Sequence, residues 1–261
     1  MNALVFDIET APDVEAGRLI HGLDGEVSDE DVVRAMRHLQ HQKSGTEFLP
    51  LHLHRVVAIA AVYENNDEQT VKVASYGTPE SSESDLVSAF FKSIEIKEPR
   101  LVSWNGLGFD LPVLNYRALL HGVAAPKYWD SGEKNQRFRF ANYQNRYHAH
   151  KNLDLMDKLA RSQRGAGLND ICRMLRLPGK SGMSGDKVCD AWLAGKIDDI
   201  RAYCETDALN TYLVYLQFER ISGNLDEYEH EEQCDKLREC LGESEMPHLQ
   251  QFLQDWQAGA A

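Results

Sequence analysis

The 261-residue chain reads as an α/β fold built on a mixed sheet, and three observations say so. Runs of β-branched and aromatic residues come first, helical spacing takes over after Trp104, and a short strand signal then recurs among the helices. The strand signals are Leu4–Glu9, Arg55–Tyr63, Thr70–Tyr76 and Arg100–Trp104, with a short fifth at Asn152–Leu153. Helices are expected at Asp29–Gln40, Pro112–His121, Leu155–Arg164, Leu168–Leu175, Lys187–Leu193 and from Asp198 to about Ile221.

The first strand carries an anomaly. Side chains two apart in a strand share a face, so Leu4, Phe6 and Ile8 form an apolar side while Asp7 and Glu9 converge on the other. The stretch of about forty residues that follows is too long for a hairpin loop. It reads as an insertion over about 11–53, either a cap over a site or decoration, with Val32, Val33, Met36 and Leu39 on the inner side of its helix.

A second acid follows the fourth strand in "LVSWNGLGFDLPVL". Asn105-Gly106 signals a turn, and Asp110 before Leu111-Pro112 marks a helix start, where it reads either as an N-cap or as an inward carboxylate. Asp154, at a strand-to-helix junction, reads as a cap or as support for a site. Between Lys134 and Arg164, eight Lys or Arg stand against two Asp, with Phe138, Phe140, Tyr143 and Tyr147 interleaved. That mixture suits single-stranded nucleic acid, although an ordinary surface loop has the same composition.

The long helix holds the third acid. Ile200, Tyr203, Asp207, Thr211 and Val214 recur every three or four residues and form one stripe; facing inward, it buries Asp207 beside Tyr203. The opposite choice turns Cys204, Ala208 and Tyr215 inward and leaves Asp207 on the surface. Beyond residue 222 the chain is acidic and helical, an extension over 223–261 expected to pack on the same domain.

Composition narrows the function. A net charge of −13 argues against a protein that coats nucleic acid by general attraction, so any phosphate it handles needs local help from a metal or a confined basic patch. No apolar run approaches a membrane span and no secretory signal is visible. Five widely spaced cysteines without a C-x-x-C pair fit reduced thiols, and a cytoplasmic location is expected. Like-charged carboxylates on one strand face raise one another's pKa, a conflict that a divalent cation removes. With no His or Cys in the set, the donors suit a hard ion, Mg²⁺ or Mn²⁺, rather than zinc.

"FDIET" (Phe6–Thr10), "NGLGFDLPVL" (Asn105–Leu114) and "YCETD" (Tyr203–Asp207), in this order, resemble the three motifs of the DEDD, or DnaQ-like, 3′–5′ exonucleases. The Tyr-x-x-x-Asp form of the last resembles the DEDDy branch, and the similarity is to proteins related to the proofreading domain of family-B DNA polymerases, here as a stand-alone chain. The resemblance covers roughly Asn2 to Ile221. It implies an RNase H-like fold, a five-stranded mixed sheet flanked by helices, with an exonuclease domain over 1–222. It also implies two ions: Asp7, Glu9 and Asp207 would hold the first, Asp7 would bridge to the second, and Asp110 would support it. Tyr203 would orient and help deprotonate the attacking water, and Thr10, Asn105 and Phe109 would lie near the terminal nucleotide. The substrate implied is the 3′ end of single-stranded nucleic acid, DNA before RNA, with nucleoside 5′-monophosphates released.

Two rivals remain on sequence. "DIET", "LVSW" and "GDKVCD" imitate the motifs of haloacid-dehalogenase-like phosphatases, but Glu9 stands where those enzymes have Asp, and Asp110, Tyr203 and Asp207 would be idle. The other rival is an exonuclease fold that only binds nucleic acid; four acids and the Tyr in one chain argue against it.

Overall fold

A computed structural model describes residues 1–145, 150–161, 163, 165–180 and 182–259. Its centre is a five-stranded sheet of order β3-β2-β1-β4-β5, formed by β1 (Ala3–Pro12), β2 (His54–Asn65), β3 (Thr70–Ser75), β4 (Arg100–Ser103) and β5 (Asn152–Asp154). β1 is antiparallel to β2 and parallel to β4; β3 and β5 extend the two sides. The mixed sheet flanked by helices expected from sequence is therefore present, with the anomalous strand in the middle.

The two faces of β1 separate as its alternation dictates. Leu4, Phe6 and Ile8 enter a core with Phe90, Phe91, Ile94 and Leu114 from α3 (Glu83–Lys97) and α4 (Asp110–His121). Ala3 and Val5 enter a second core, under α9 (Ile197–Ile221), with Ala58 and Ala60 of β2. Asp7 pairs with Ala60 and Glu9 with Ala58, and the small alanine side chains leave the acids room on the α9 side.

The segment between β1 and β2 forms α1 (Val14–His21) and α2 (Asp29–Ser44), each started by a side-chain cap, from Asp13 and from Ser28. Val14, Val32, Val33, Met36, Leu49 and Leu53 make a third small core with Cys189 of α8 (Val188–Leu193). The helices touch closely at Gly17, where a Cβ would stand 2.3 Å from the Met36 sulfur. Leu39, expected on the inner side, is instead exposed, because α2 rests on a stripe centred on Val32 and Met36.

Several boundaries differ from expectation. α3 is absent from the sequence reading although its signals are present: Ser82 and Asp85 form a capping box, and Leu86, Val87, Phe90, Phe91 and Ile94 repeat at helical spacing. α4 begins at Asp110, two residues before Pro112. A single turn, α5 (Pro126–Trp129), follows it. α6 (Leu155–Ala160) ends before the expected Arg164, which lies outside the described residues. α7 (Leu168–Met174) precedes α8.

In the basic and aromatic tract, Phe138 and Tyr143 are buried rather than free to stack on bases. Arg137 pairs with Glu98 at 2.7 Å and Lys151 donates to the Glu98 carbonyl, fastening the tract to the entry of β4, the end of that strand away from Asp110. Arg146 and Tyr147 lie outside the described residues. The acidic C-terminal part forms α10 (Glu227–Gly242) and α11 (Pro247–Gly259), whose Leu237, Leu241, Phe252 and Trp256 share the core under α9. No helix among the described residues is long and apolar enough to cross a membrane.

Candidate active site

Three elements bring the acids together. β1 supplies Asp7 and Glu9 from the face turned toward α9, and α9 supplies Asp207; one carboxylate oxygen of each lies within 4.8 Å of the others. α9 is buried nearly all round between Tyr203 and Leu216, so the two stripes proposed from sequence are both inward. Asp207 takes the inward option because the helix is sandwiched between the sheet and the C-terminal helices.

Asp110 comes from the loop after β4. Its side chain caps nothing in the usual sense: Phe109 holds the N-cap position, and Asp110 is the first helical residue, buried and accepting from the backbone N–H of Ile8 in β1. It stands beside Asp7 and outside the three-carboxylate group. The loop that delivers it is held by Asp154, whose two oxygens accept from the Asn105 and Leu107 N–H groups at 3.0 Å each while one of them also caps α6. Asp154 thus serves both readings of it, as a cap and as a brace for the site. Asn105 adopts φ +67, a conformation that Asn tolerates, and a Cβ at Gly106 would meet Ser103 Oγ at 2.1 Å. Only a turn of this composition lets the chain pass so close to β4.

The charges are not balanced internally. Burial, then Glu9, Asp110 and Asp207, push the Asp7 carboxyl far above its ordinary range. Burial and then Asp207 do the same to Glu9; burial raises Asp207, and it pushes Asp110 up to about 7. Oδ1 of Asp207 is buried with no hydrogen-bond partner among the described residues. The neighbouring Cys204 thiol donates to Asp7, and burial first, then the acids, hold that thiol protonated.

One residue missed from sequence answers part of the charge. Lys180 places its ammonium 3.2 Å from Asp207 Oδ2 and donates to the Tyr203 hydroxyl. Its loop is pinned by Asn210 on α9, which accepts from the Gly179 N–H and donates to the Gly179 carbonyl. No local spacing around "LPGKSG" announces this contact, which only the packing of the loop on α9 creates. Burial and then Asp207 raise the Tyr203 pKa strongly, so its hydroxyl stays protonated and donates to Asp207. A cavity of about 630 Å³ opens beside Tyr203, lined among others by Met183, Lys187 and His248.

Of the three substrate-side candidates, Thr10 and Phe109 each adjoin an acid of the site, and Asn105 lies in the loop braced by Asp154. Thr10 follows Glu9 across a β-bulge and its hydroxyl is 2.9 Å from His54 Nδ1. Phe109 precedes Asp110 and packs edge-on against the His54 ring, with centroids 5.2 Å apart. The components of the phosphatase alternative stay apart in character: Ser103 is fully buried within β4, and Asp186 and Asp190 are exposed.

Mutually repelling oxygen donors, with Oδ1 of Asp207 buried and unpartnered among the described residues, fit a hard divalent cation. Mixed sheet and acid cluster together define the class, an RNase H-like exonuclease. Residues 46–256 match the family described as predicted 3′–5′ exonucleases related to the exonuclease domain of PolB, and the chain belongs to that family. Its activity is accordingly that of a 3′–5′ exonuclease, a hydrolase of phosphodiester bonds in nucleic acid, and exonuclease domains of this kind generally use divalent metals. The matched span contains Asp110, Tyr203 and Asp207 and runs through α10 into α11, but omits β1; Asp7 and Glu9 join the site through sheet geometry. A search of curated proteins finds no match.

Proposed function

We propose that the protein removes nucleotides one at a time from the 3′ end of single-stranded nucleic acid, releasing nucleoside 5′-monophosphates, with two Mg²⁺ or Mn²⁺ ions. The observation that carries this is the triad of carboxylates within 4.8 Å, Glu9 and Asp207 buried and Asp7 half-buried, with Lys180 set against Asp207. Asp7, Glu9 and Asp207 would hold the first ion, and Asp7 with Asp110 the second. When bound, the ions supply activation of water on one side of the phosphodiester and charge stabilisation of the leaving oxygen on the other. DNA is preferred to RNA in this reading, on the family's relation to a polymerase exonuclease domain.

The chain's own residues set the geometry. Tyr203, protonated and hydrogen-bonded to Asp207 and Lys180, acts as an orienting hydroxyl for the attacking water. By the resemblance it would also help deprotonate that water. Lys180 stands 3.2 Å from Asp207 and anchors that side of the cluster. Thr10, Asn105 and Phe109 meet the terminal nucleotide.

The test is a 5′-labelled single strand, DNA or RNA, incubated with Mg²⁺ or Mn²⁺. Stepwise shortening from the 3′ end, faster on DNA, is expected. Internal cuts or digestion from the 5′ end contradict the reading.

A further inference from the structure

The insertion before β2 does more than decorate the fold. Its last residues, from Phe48 on, lead into His54 at the start of β2, and three rings meet there: Phe48 lies 5.3 Å from His54 and 5.9 Å from Phe109, and His54 lies 5.2 Å from Phe109. Phe109 is joined directly to Asp110, and His54 is hydrogen-bonded to Thr10, the residue after Glu9. The ring cluster therefore sits between the two chain corners that deliver the acids.

His54 is locked in this position. Its Nε2 faces the Leu49 carbonyl at 3.1 Å, and a carbonyl only accepts, so Nε2 carries the proton and Nδ1 accepts from the Thr10 hydroxyl. Burial lowers its pKa and keeps the ring neutral. Phe48 differs from both neighbours: it is 57% exposed, a large apolar ring left open to solvent on top of two fixed ones. Its backbone N–H is tied to Thr46 Oγ1 at 3.2 Å. An exposed aromatic face beside a nuclease centre is chemically matched to a nucleobase, which has a flat face to stack whatever its identity.

We infer that Phe48, supplied by the insertion, stacks on the base of the 3′-terminal nucleotide and with Phe109 and His54 forms the pocket that holds an unpaired end. This rests on the exonuclease reading above and adds the residue that grips the end. Stacking of this kind is indifferent to sequence and requires the base to be unstacked from a partner strand, which favours frayed or single-stranded ends.

Fluorescence anisotropy of a 5′-labelled single strand tests the inference in Ca²⁺, using two strands that differ only in whether the terminal nucleotide carries a base or is abasic. The unaltered protein should bind the strand with a terminal base about tenfold more tightly, about 1.4 kcal/mol, within the range of one base–aromatic stack. Phe48→Ala should bring the two strands to within about threefold of each other, and Phe48→Trp should restore the difference. With Mg²⁺, Phe48→Ala should raise KM and leave kcat nearly unchanged. A base preference that survives in Phe48→Ala, or weakening that is equal for both strands, overturns the inference. The exonuclease reading fails separately: it falls if the unaltered protein never shortens a strand, whereas the base-dependent binding difference can still stand.

Discussion

Asp13 and Glu83 are as buried as Glu9 and Asp207, at 4% and 5% exposure against 8% and 4%, yet the two groups are treated in opposite ways. Arg117 reaches Asp13 at 2.5 Å and Glu83 at 2.5 and 2.7 Å. The remaining oxygen of Asp13 accepts from the Ala16 N–H; Glu83 also accepts from the Val56 N–H and faces His121. Every carboxylate oxygen of this network has a donor, and it ties the end of β1 to β2, α3 and α4. Among the described residues, the four acids of the candidate site face one lysine, Lys180, and Asp207 keeps an open oxygen. Burial does not separate a structural acid from a functional one; the donors around it do.

The largest expected effect breaks the comparison on the functional side. Asp207→Ala should lower strand shortening by about a thousandfold or more, the loss of several kcal/mol of charge stabilisation. Metal-free thermal stability should stay level or rise, because a buried and poorly neutralised charge has been removed. Arg117→Met should do the reverse. It leaves Asp13 and Glu83 buried without their cation and should cost about 3–5 kcal/mol in urea unfolding; a loss under about 1 kcal/mol would show that the network is not a brace.

A smaller effect distinguishes the groups by their response to cations. At a hundred times its dissociation constant, Mn²⁺ should stabilise the unaltered protein in a thermal melt by about 2.7 kcal/mol for each ion bound. Asp7→Ala should lose that gain, and Arg117→Met, wherever it remains folded, should keep it. An inactive binding module need show no such gain.

The smallest effect concerns His54. Its folded pKa lies below the ordinary histidine value of about 6.5, through burial and then the neighbouring His52, so the unfolded chain binds the proton more readily. The stability that neutral His54 contributes is present above about pH 6.5 and is lost as pH falls toward the folded pKa. The melting-temperature advantage of the unaltered protein over His54→Gln should therefore shrink on acidification; a constant gap contradicts the assignment.

What was legible in the sequence was local. The alternation of β1 separates Asp7 and Glu9 from Leu4, Phe6 and Ile8, and the spacing of Tyr203 and Asp207 places them on one side of α9. Asp110 was legible as a helix start, but its contact with the Ile8 N–H was not. Lys180 and Phe48 reach the site through loops, and His54 from the start of β2, by tertiary packing that no period or short motif encodes. Composition misled at Phe138 and Tyr143, because aromatic residues in a basic tract suit a core as well as a nucleic-acid surface. α3 carries its signals in its capping box and apolar spacing.

The most direct test is to titrate Mn²⁺ into the metal-free protein and count bound ions from the electron paramagnetic resonance signal of the free ion. Two ions per chain are predicted, with both weakened in Asp7→Ala, because in the proposed arrangement Asp7 would contribute to each. The absence of saturable binding at millimolar Mn²⁺, or an unchanged count and affinity in Asp7→Ala, would contradict a metal centre at these acids.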